Sequence, residues 1–172
     1  VGKIAFTGST AVGREIMRLA SGTVKQVTLE LGGKGPSIVL DDADLDMAAD
    51  GVLYGCFVYS GQVCESGTRA LVPADRHDAF VDRLVRRART IQLGPTRDWD
   101  TDMGPVIDGR QQRRILEYIQ GAVAEGAQIV LGGEALPQPG FWVSPTILTG
   151  VHNDMRIARE EVFGPVLVVI PY

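Results

Sequence analysis

Residues 24–40, VKQVTLELGGKGPSIVL, contain the boundary around which the rest of the chain is organised. Val24–Leu31 partly alternates apolar and polar residues, and Ser37–Leu40 is a short apolar run, so both favour β-strands. Between these runs, Leu31–Pro36 holds three glycines and a proline, which are typical of irregular structure. We therefore expect a domain boundary here, with residues 1–30 in one domain and residues 31–172 in another.

Short strand-like runs alternate with amphipathic helical patterns on both sides of this boundary. This order predicts an α/β fold with a mostly parallel sheet and flanking helices. The expected strands are Val1–Phe6, Val24–Leu31, Ser37–Leu40, Arg69–Val72, Gln128–Leu131, one or two within Phe141–Leu148, and Val166–Ile170, and the expected helices are Ala11–Ser21, Leu45–Tyr59, Asp75–Arg89, Arg110–Gly126 and a short one near Asp154–Arg159.

The composition is that of an ordinary globular protein. Of the 172 residues, 45% are hydrophobic and 22% are charged, and the formal net charge is −4. This balance gives no electrostatic reason to expect nucleic acid or an anionic membrane as a partner. The longest uncharged apolar run, Val166–Ile170, is far shorter than the ~20 residues that cross a bilayer.

Two cysteines, Cys56 and Cys64, favour a reducing compartment, the cytoplasm, over a disulfide framework. The cysteines and the two histidines, His77 and His152, lack the spacing of a metal site. The chain begins inside a strand-like run without a methionine and stops two residues after Ile170. We therefore expect it to be a piece of a longer protein, truncated at both ends.

Cys64 lies between Gly61 and Gly67, where we expect a helix to break. Glycines allow the backbone to approach a ligand closely, and a nucleophilic cysteine needs partial exposure and nearby amide dipoles. The alternative is a small buried apolar residue. We assign that alternative to Cys56, which lies inside the apolar run Leu53–Val58; for Cys64 the residues alone leave both open.

Glu30 lies between two leucines in the sequence TLELGG. It belongs either to the exposed face of an alternating strand or to a desolvated site, where its raised pKa would suit a general base.

Two further segments could hold parts of a ligand. In Phe6–Gly13 a strand, a turn and a helix start follow one another, which suits an anion, although an ordinary turn capped by Ser9 or Thr10 has the same pattern. Glu160–Pro165 combines two acids, an aromatic residue and a Gly-Pro turn, and could hold sugar hydroxyls and a flat ring or be a solvated helix end.

All four segments together, in this order, resemble the aldehyde dehydrogenase superfamily over essentially the whole chain. FTGSTAVG at 6–13 looks like the family's cofactor pyrophosphate turn, and LELGGK at 29–34 looks like its glutamate signature. GQVC at 61–64 is similar to its cysteine signature, and EVFGP at 161–165 resembles its nicotinamide-ribose motif.

The resemblance implies NAD- or NADP-dependent oxidation of a small aldehyde to an acid, by a homo-oligomer (dimer or tetramer) when the protein is full length. Cys64 would be the nucleophile, and Glu30 would activate water to hydrolyse the thioester. The implied cofactor-binding residues are Gly8, Ser9, Leu31, Gly32, Glu161 and Phe163, and no metal is implied. Residues 1–30 would be the C-terminal edge of the dinucleotide-binding domain and residues 31–172 most of the catalytic domain.

Two other functions remain open at this point. A relative that acylates coenzyme A would not need Glu30 as a base, whereas a non-catalytic protein on the same fold would not need Cys64. Glu65 follows Cys64 directly, where small or apolar residues are common in the family. Its carboxylate would raise the pKa of the Cys64 thiol if the two groups are close, or it could meet a polar substrate.

Overall fold

A computed structural model describes all 172 residues and divides them into two compact units, Val1–Gly33 and Lys34–Tyr172. The division falls inside the glycine- and proline-rich segment Leu31–Pro36.

The first unit is a single β–α–β element. It consists of β1 (Lys3–Gly8), α1 (Thr10–Ser21) and β2 (Gln26–Leu31), with the two strands paired in parallel. Helix α1 packs closely on β2 because Gly13 has no side chain: a Cβ there would lie 2.9 Å from Leu31 Cδ2.

The second unit is built on a five-stranded sheet. Its strands, in chain order, are β3 (Pro36–Ile38), β4 (Arg69–Val72), β5 (Gln128–Leu131), β6 (Thr146–Thr149) and β7 (Val166–Pro171). Across the sheet their order is β3-β4-β7-β6-β5, and every pair is parallel except β5 with β6. The expected α/β fold with a mostly parallel sheet is confirmed.

Helices cover both faces of this sheet, and β7 shows why. Leu167 and Val169 join a core with α2 (Leu45–Phe57) and α3 (His77–Ala88), whereas Val166, Val168 and Ile170 join a second core with α4 (Gly109–Ala124) and α5 (Arg156–Arg159). Successive side chains of a strand point to opposite faces. A fully apolar strand is therefore the central one, buried on both sides.

Several element boundaries differ from the expected ones. Strand β3 starts at Pro36 and stops at Ile38, and α2 ends at Phe57 instead of Tyr59. A short 3₁₀ turn, Ala74–Arg76, precedes α3. Of the expected strands within Phe141–Leu148, one forms as β6, which runs on to Thr149. None of the helices is both long enough and apolar enough to span a bilayer.

Candidate active site

The loop that carries Cys64 follows an abrupt change of backbone conformation. Helix α2 ends at Phe57, and Tyr59, Ser60 and Gly61 then have φ angles of 51°, 59° and 68°. Two consecutive non-glycine residues in this left-handed region cost about 1–3 kcal/mol each. They persist because neighbouring groups hold them: Ser60 Oγ donates a hydrogen bond of 2.8 Å to the carbonyl of Gly104.

Gly61 brings this loop against the Glu161–Pro165 segment. A Cβ at Gly61 would overlap the carbonyl oxygen of Gly164, and its φ of 68° also disfavours any other residue. Gln62 fixes the next turn, since its Oε1 accepts a hydrogen bond from Ile107 N (3.0 Å) and its Nε2 donates one to Tyr59 O (3.3 Å). Two of the four segments singled out from the sequence therefore meet in space.

The two cysteines have opposite environments. Cys64 is exposed, whereas Cys56 lies in α2 with no exposed surface, and burial raises the pKa of the Cys56 thiol to about 12. The expectation that Cys56 is a small buried apolar residue is confirmed. Glu65 is exposed next to Cys64 and makes no ion pair. Of the two thiols, only that of Cys64 is open to solvent.

The Glu161–Pro165 segment is held by α4 through its backbone. Gln111 Nε2 donates hydrogen bonds to the carbonyls of Val162 (2.9 Å) and Phe163 (2.8 Å), and Arg114 donates one to the carbonyl of Glu161 (3.1 Å). This clamp stabilises Phe163 at a φ of 60°, which is uncommon for an aromatic residue. Both Glu161 and Phe163 are half-buried.

The two neighbouring acids of this segment have different surroundings. Glu160 Oε2 accepts hydrogen bonds from Tyr118 Oη (2.7 Å) and Arg156 Nε (3.0 Å), and the Arg156 guanidinium lies 4.3 Å from the centre of the Tyr118 ring. The Tyr118 hydroxyl and Arg156 lower the pKa of the Glu160 carboxyl below its usual value. Glu160 is thus engaged in anchoring α5 to α4.

Within the first unit, the turn between β1 and α1 is exposed. Ser9 caps α1 by accepting a hydrogen bond from Val12 N (3.4 Å), and no acidic side chain lies in the first turn. Gly8 is exposed as well. The free amides of this helix start can therefore meet an anion from solvent.

Glu30 lies on the exposed face of β2, where exposed and half-buried residues alternate. Of the two alternatives for Glu30, the structure has the exposed face of an alternating strand, because alternation turns Leu29 and Leu31 to one face and Glu30 to the other. Leu31 and Gly32 are half-buried.

The surroundings of two residues of the second unit were not predicted from the sequence. Gln111 lies among arginines and glutamines in a run that is typical of a solvated helix face. Only the tertiary structure shows that its side chain holds the backbone of the Glu161–Pro165 segment. Lys34 belongs to the glutamate signature, but nothing in the sequence shows that its ammonium group is buried. Burial lowers the pKa of Lys34 to about 8, and Arg69 also lowers it.

Comparison with known proteins gives one consistent result. The model of the aldehyde dehydrogenase family matches residues 1–172. A betaine aldehyde dehydrogenase of Cereibacter sphaeroides is 45% identical over 172 residues, which are 100% of this chain and 36% of the relative.

Solved structures agree with the sequence matches. An aldehyde dehydrogenase of Bacillus cereus, solved as an NAD+ complex, matches 100% of this chain and 35% of its own with a TM-score of 0.97 and 45% identity. A betaine aldehyde dehydrogenase of Staphylococcus aureus in complex with NAD+ matches with the same TM-score, 41% identity and the same coverage. The chain spans about a third of the length of these relatives.

Proposed function

This chain belongs to the aldehyde dehydrogenase family, and we propose that the full-length protein oxidises a small aldehyde to a carboxylic acid with NAD or NADP. The relatives named above are aldehyde dehydrogenases, two of them solved with NAD+. We include in the same proposal that the protein is a homo-oligomer, a dimer or a tetramer, and works in the cytoplasm.

Cys64 is the proposed nucleophile. Its thiolate attacks the aldehyde carbon and forms a thiohemiacetal, and its backbone amide stabilises the oxygen that becomes negative. Loss of a hydride from that carbon converts the adduct into a thioester. The observation that carries this role is the exposed thiol in a loop that Ser60 ties to the carbonyl of Gly104 and that Gly61 brings against the Glu161–Pro165 segment.

The residues present fit a dinucleotide. The free start of α1, with Gly8 and Ser9 before it, suits the pyrophosphate. In the second unit, the acid Glu161 and the ring of Phe163, two positions further along the chain, suit a ribose and a flat base. In our proposal Leu31 and Gly32 lie beside the same cofactor. When bound, NAD or NADP accepts the hydride.

Glu30 completes the proposed reaction. Water attacks the thioester slowly at neutral pH, so a base that accepts its proton speeds hydrolysis, typically by about 10²–10⁴-fold. The exposed carboxylate of Glu30 is open to water. The Cys64 thiolate then leaves as the acid forms.

The test uses the full-length protein in which these residues occur. Formation of NADH from a panel of aldehydes should disappear in Cys64→Ala and persist in the matched variant Cys56→Ala, which removes only the buried thiol. Turnover that survives in Cys64→Ala would refute the nucleophile.

A second variant separates the two half-reactions. Glu30→Gln keeps the side-chain shape but removes the base, so turnover should fall by about 10²–10⁴-fold while acyl mass accumulates on the Cys64 peptide after mixing with aldehyde and NAD+. Mass spectrometry of that peptide gives the readout. Near-normal turnover in Glu30→Gln would show that another group activates water.

A further inference from the structure

Glu65 places a carboxylate directly after the proposed nucleophile. Residues 63–66 form a tight turn, in which the backbone amide of Ser66 donates a hydrogen bond of 3.2 Å to the carbonyl of Val63. Cys64 and Glu65 are the two central residues of this turn, and both are exposed. The turn therefore presents the thiol and the carboxylate to solvent from neighbouring positions.

The backbone of this turn is packed against the chain at the start of β3. Ser66 is buried, and a Cβ on Gly67 would overlap the Oγ of Ser37. A Cβ on Gly35 would lie 3.5 Å from the carbonyl oxygen of Ser66 and 3.9 Å from that of Glu65. Because these contacts fix the backbone, the Glu65 side chain begins at a fixed point beside Cys64.

No contact within the chain compensates the charge of this carboxylate. None of the ion pairs includes Glu65. The nearest basic residue along the chain is Arg69, and its guanidinium donates a hydrogen bond to Asn153 instead (3.1 Å). The charge of Glu65 is therefore free to act on a molecule that reaches the thiol.

The chemistry of the thiol determines which part of a substrate comes near Glu65. In the thiohemiacetal the aldehyde carbon is bonded to the Sγ atom of Cys64, so the next few atoms of the substrate stay beside the turn. The Cα atoms of consecutive residues are only about 3.8 Å apart. A charge on this part of the substrate can therefore approach the carboxylate more closely than the Debye length of about 8 Å at physiological ionic strength, and its interaction is only partly screened.

We propose that Glu65 is a specificity-determining residue, which favours aldehydes with a positive charge close to the carbonyl group and disfavours those with a negative charge there. The inference rests on the proposed function, because it takes Cys64 as the nucleophile. Attraction stabilises the cationic adduct and repulsion destabilises the anionic one, whereas an uncharged aldehyde of the same shape is unaffected. At a separation of about 6 Å, the attraction corresponds to roughly a three- to a hundredfold preference, as the dielectric constant goes from that of water to that of a protein surface.

The test compares two aldehydes of the same shape with the full-length protein in which these residues occur. Trimethylammonioacetaldehyde carries a positive charge, and tert-butylacetaldehyde is its uncharged isostere. The ratio of their kcat/KM values, measured by NADH formation, should fall roughly three- to a hundredfold in Glu65→Gln. Glu117→Gln, at an exposed acid of α4, changes the net charge equally and should keep the wild-type ratio.

This ratio isolates the effect of charge. Any influence of Glu65 on the reactivity of the thiol is shared by both aldehydes and cancels. Differences in hydration between the two aldehydes are the same for every variant. Succinic semialdehyde, whose carboxylate is repelled, should change in the opposite direction, so that its kcat/KM relative to the uncharged aldehyde rises in Glu65→Gln.

Ionic strength provides a readout that needs no substitution. Since Glu65 is exposed, added sodium chloride screens its charge, and the wild-type preference for the cationic aldehyde should fall as the salt concentration rises. In Glu65→Gln the ratio should change little over the same range. A wild-type ratio that does not respond to salt would contradict the inference.

The outcomes separate this inference from the proposed function. Equal ratios in the wild type and Glu65→Gln would overturn the specificity role while leaving Cys64 as the nucleophile. A wild type that oxidises other aldehydes but not trimethylammonioacetaldehyde would overturn it as well. Turnover that survives in Cys64→Ala, or a wild type that oxidises no aldehyde, would instead refute the proposed function and the inference with it.

Discussion

The buried amine of Lys34 should give the stability of this chain a specific pH dependence. Its pKa is about 8 in the folded protein, against an ordinary value of 10.5. Below pH 8 the amine is charged in both the folded and the unfolded state, so the folded state bears the cost of burying the charge. Between pH 8 and about 10.5 the folded protein has released the proton while the unfolded chain still holds it. The free energy of unfolding should therefore rise with pH over this interval.

The size of this effect follows from the two pKa values. The difference between 10.5 and about 8 corresponds to roughly 3 kcal/mol. Cys56 acts in the opposite direction, because its pKa of about 12 lies above the ordinary value of 9.0. Above pH 9 the unfolded chain loses the thiol proton first, so this term lowers the free energy of unfolding. The contribution of Lys34 must therefore be measured as a difference between variants.

Urea unfolding between pH 7 and pH 10.5 provides the assay. The wild type and Lys34→Met share Cys56, so the difference between their free energies of unfolding isolates the amine. Relative to Lys34→Met, the wild type should gain about 3 kcal/mol across the interval, whereas Lys3→Met should follow the wild type. Parallel curves for the wild type and Lys34→Met would refute the argument that this amine is buried and charged.

Three further outcomes follow from the geometry of the second unit. Iodoacetamide should label Cys64 well before Cys56, because only the first thiol is exposed and the second has a pKa of about 12; peptide mass spectrometry would contradict this by finding equal labelling. Gly61→Ala should lower the free energy of unfolding by at least about 1–3 kcal/mol, since its Cβ would overlap a carbonyl oxygen, whereas Gly55→Ala, facing open space in α2, should be neutral or stabilising in the same urea assay. Gln111→Ala removes two hydrogen bonds from the backbone of the Glu161–Pro165 segment and should raise the Kd for NADH roughly tenfold; an unchanged Kd would show that the segment keeps its shape without the clamp.

The elements that the sequence predicted well depend on local periodicity. Alternation identified β2, and the fully apolar run Val166–Ile170 identified the central strand β7, because burial on both faces leaves no place for polar residues. The residues at which helices and strands begin and end were less predictable. Helix α2 ends at Phe57 because Tyr59 and Ser60 adopt left-handed conformations that no local preference favours and that tertiary hydrogen bonds maintain.

For the candidate site too, the sequence determined some properties and the tertiary structure others. The sequence by itself determined the family, the α/β class and the residues proposed for the chemistry, Cys64, Glu30 and Glu161, because short signatures hold those residue types at fixed spacing. Only the tertiary structure decided which surroundings they have. Glu30 lies on the exposed face of its strand, and Glu160 accepts a hydrogen bond from Tyr118 of α4. Burial and the charge of groups distant in the chain set these properties, and neither is encoded in the residues next to the group they act on.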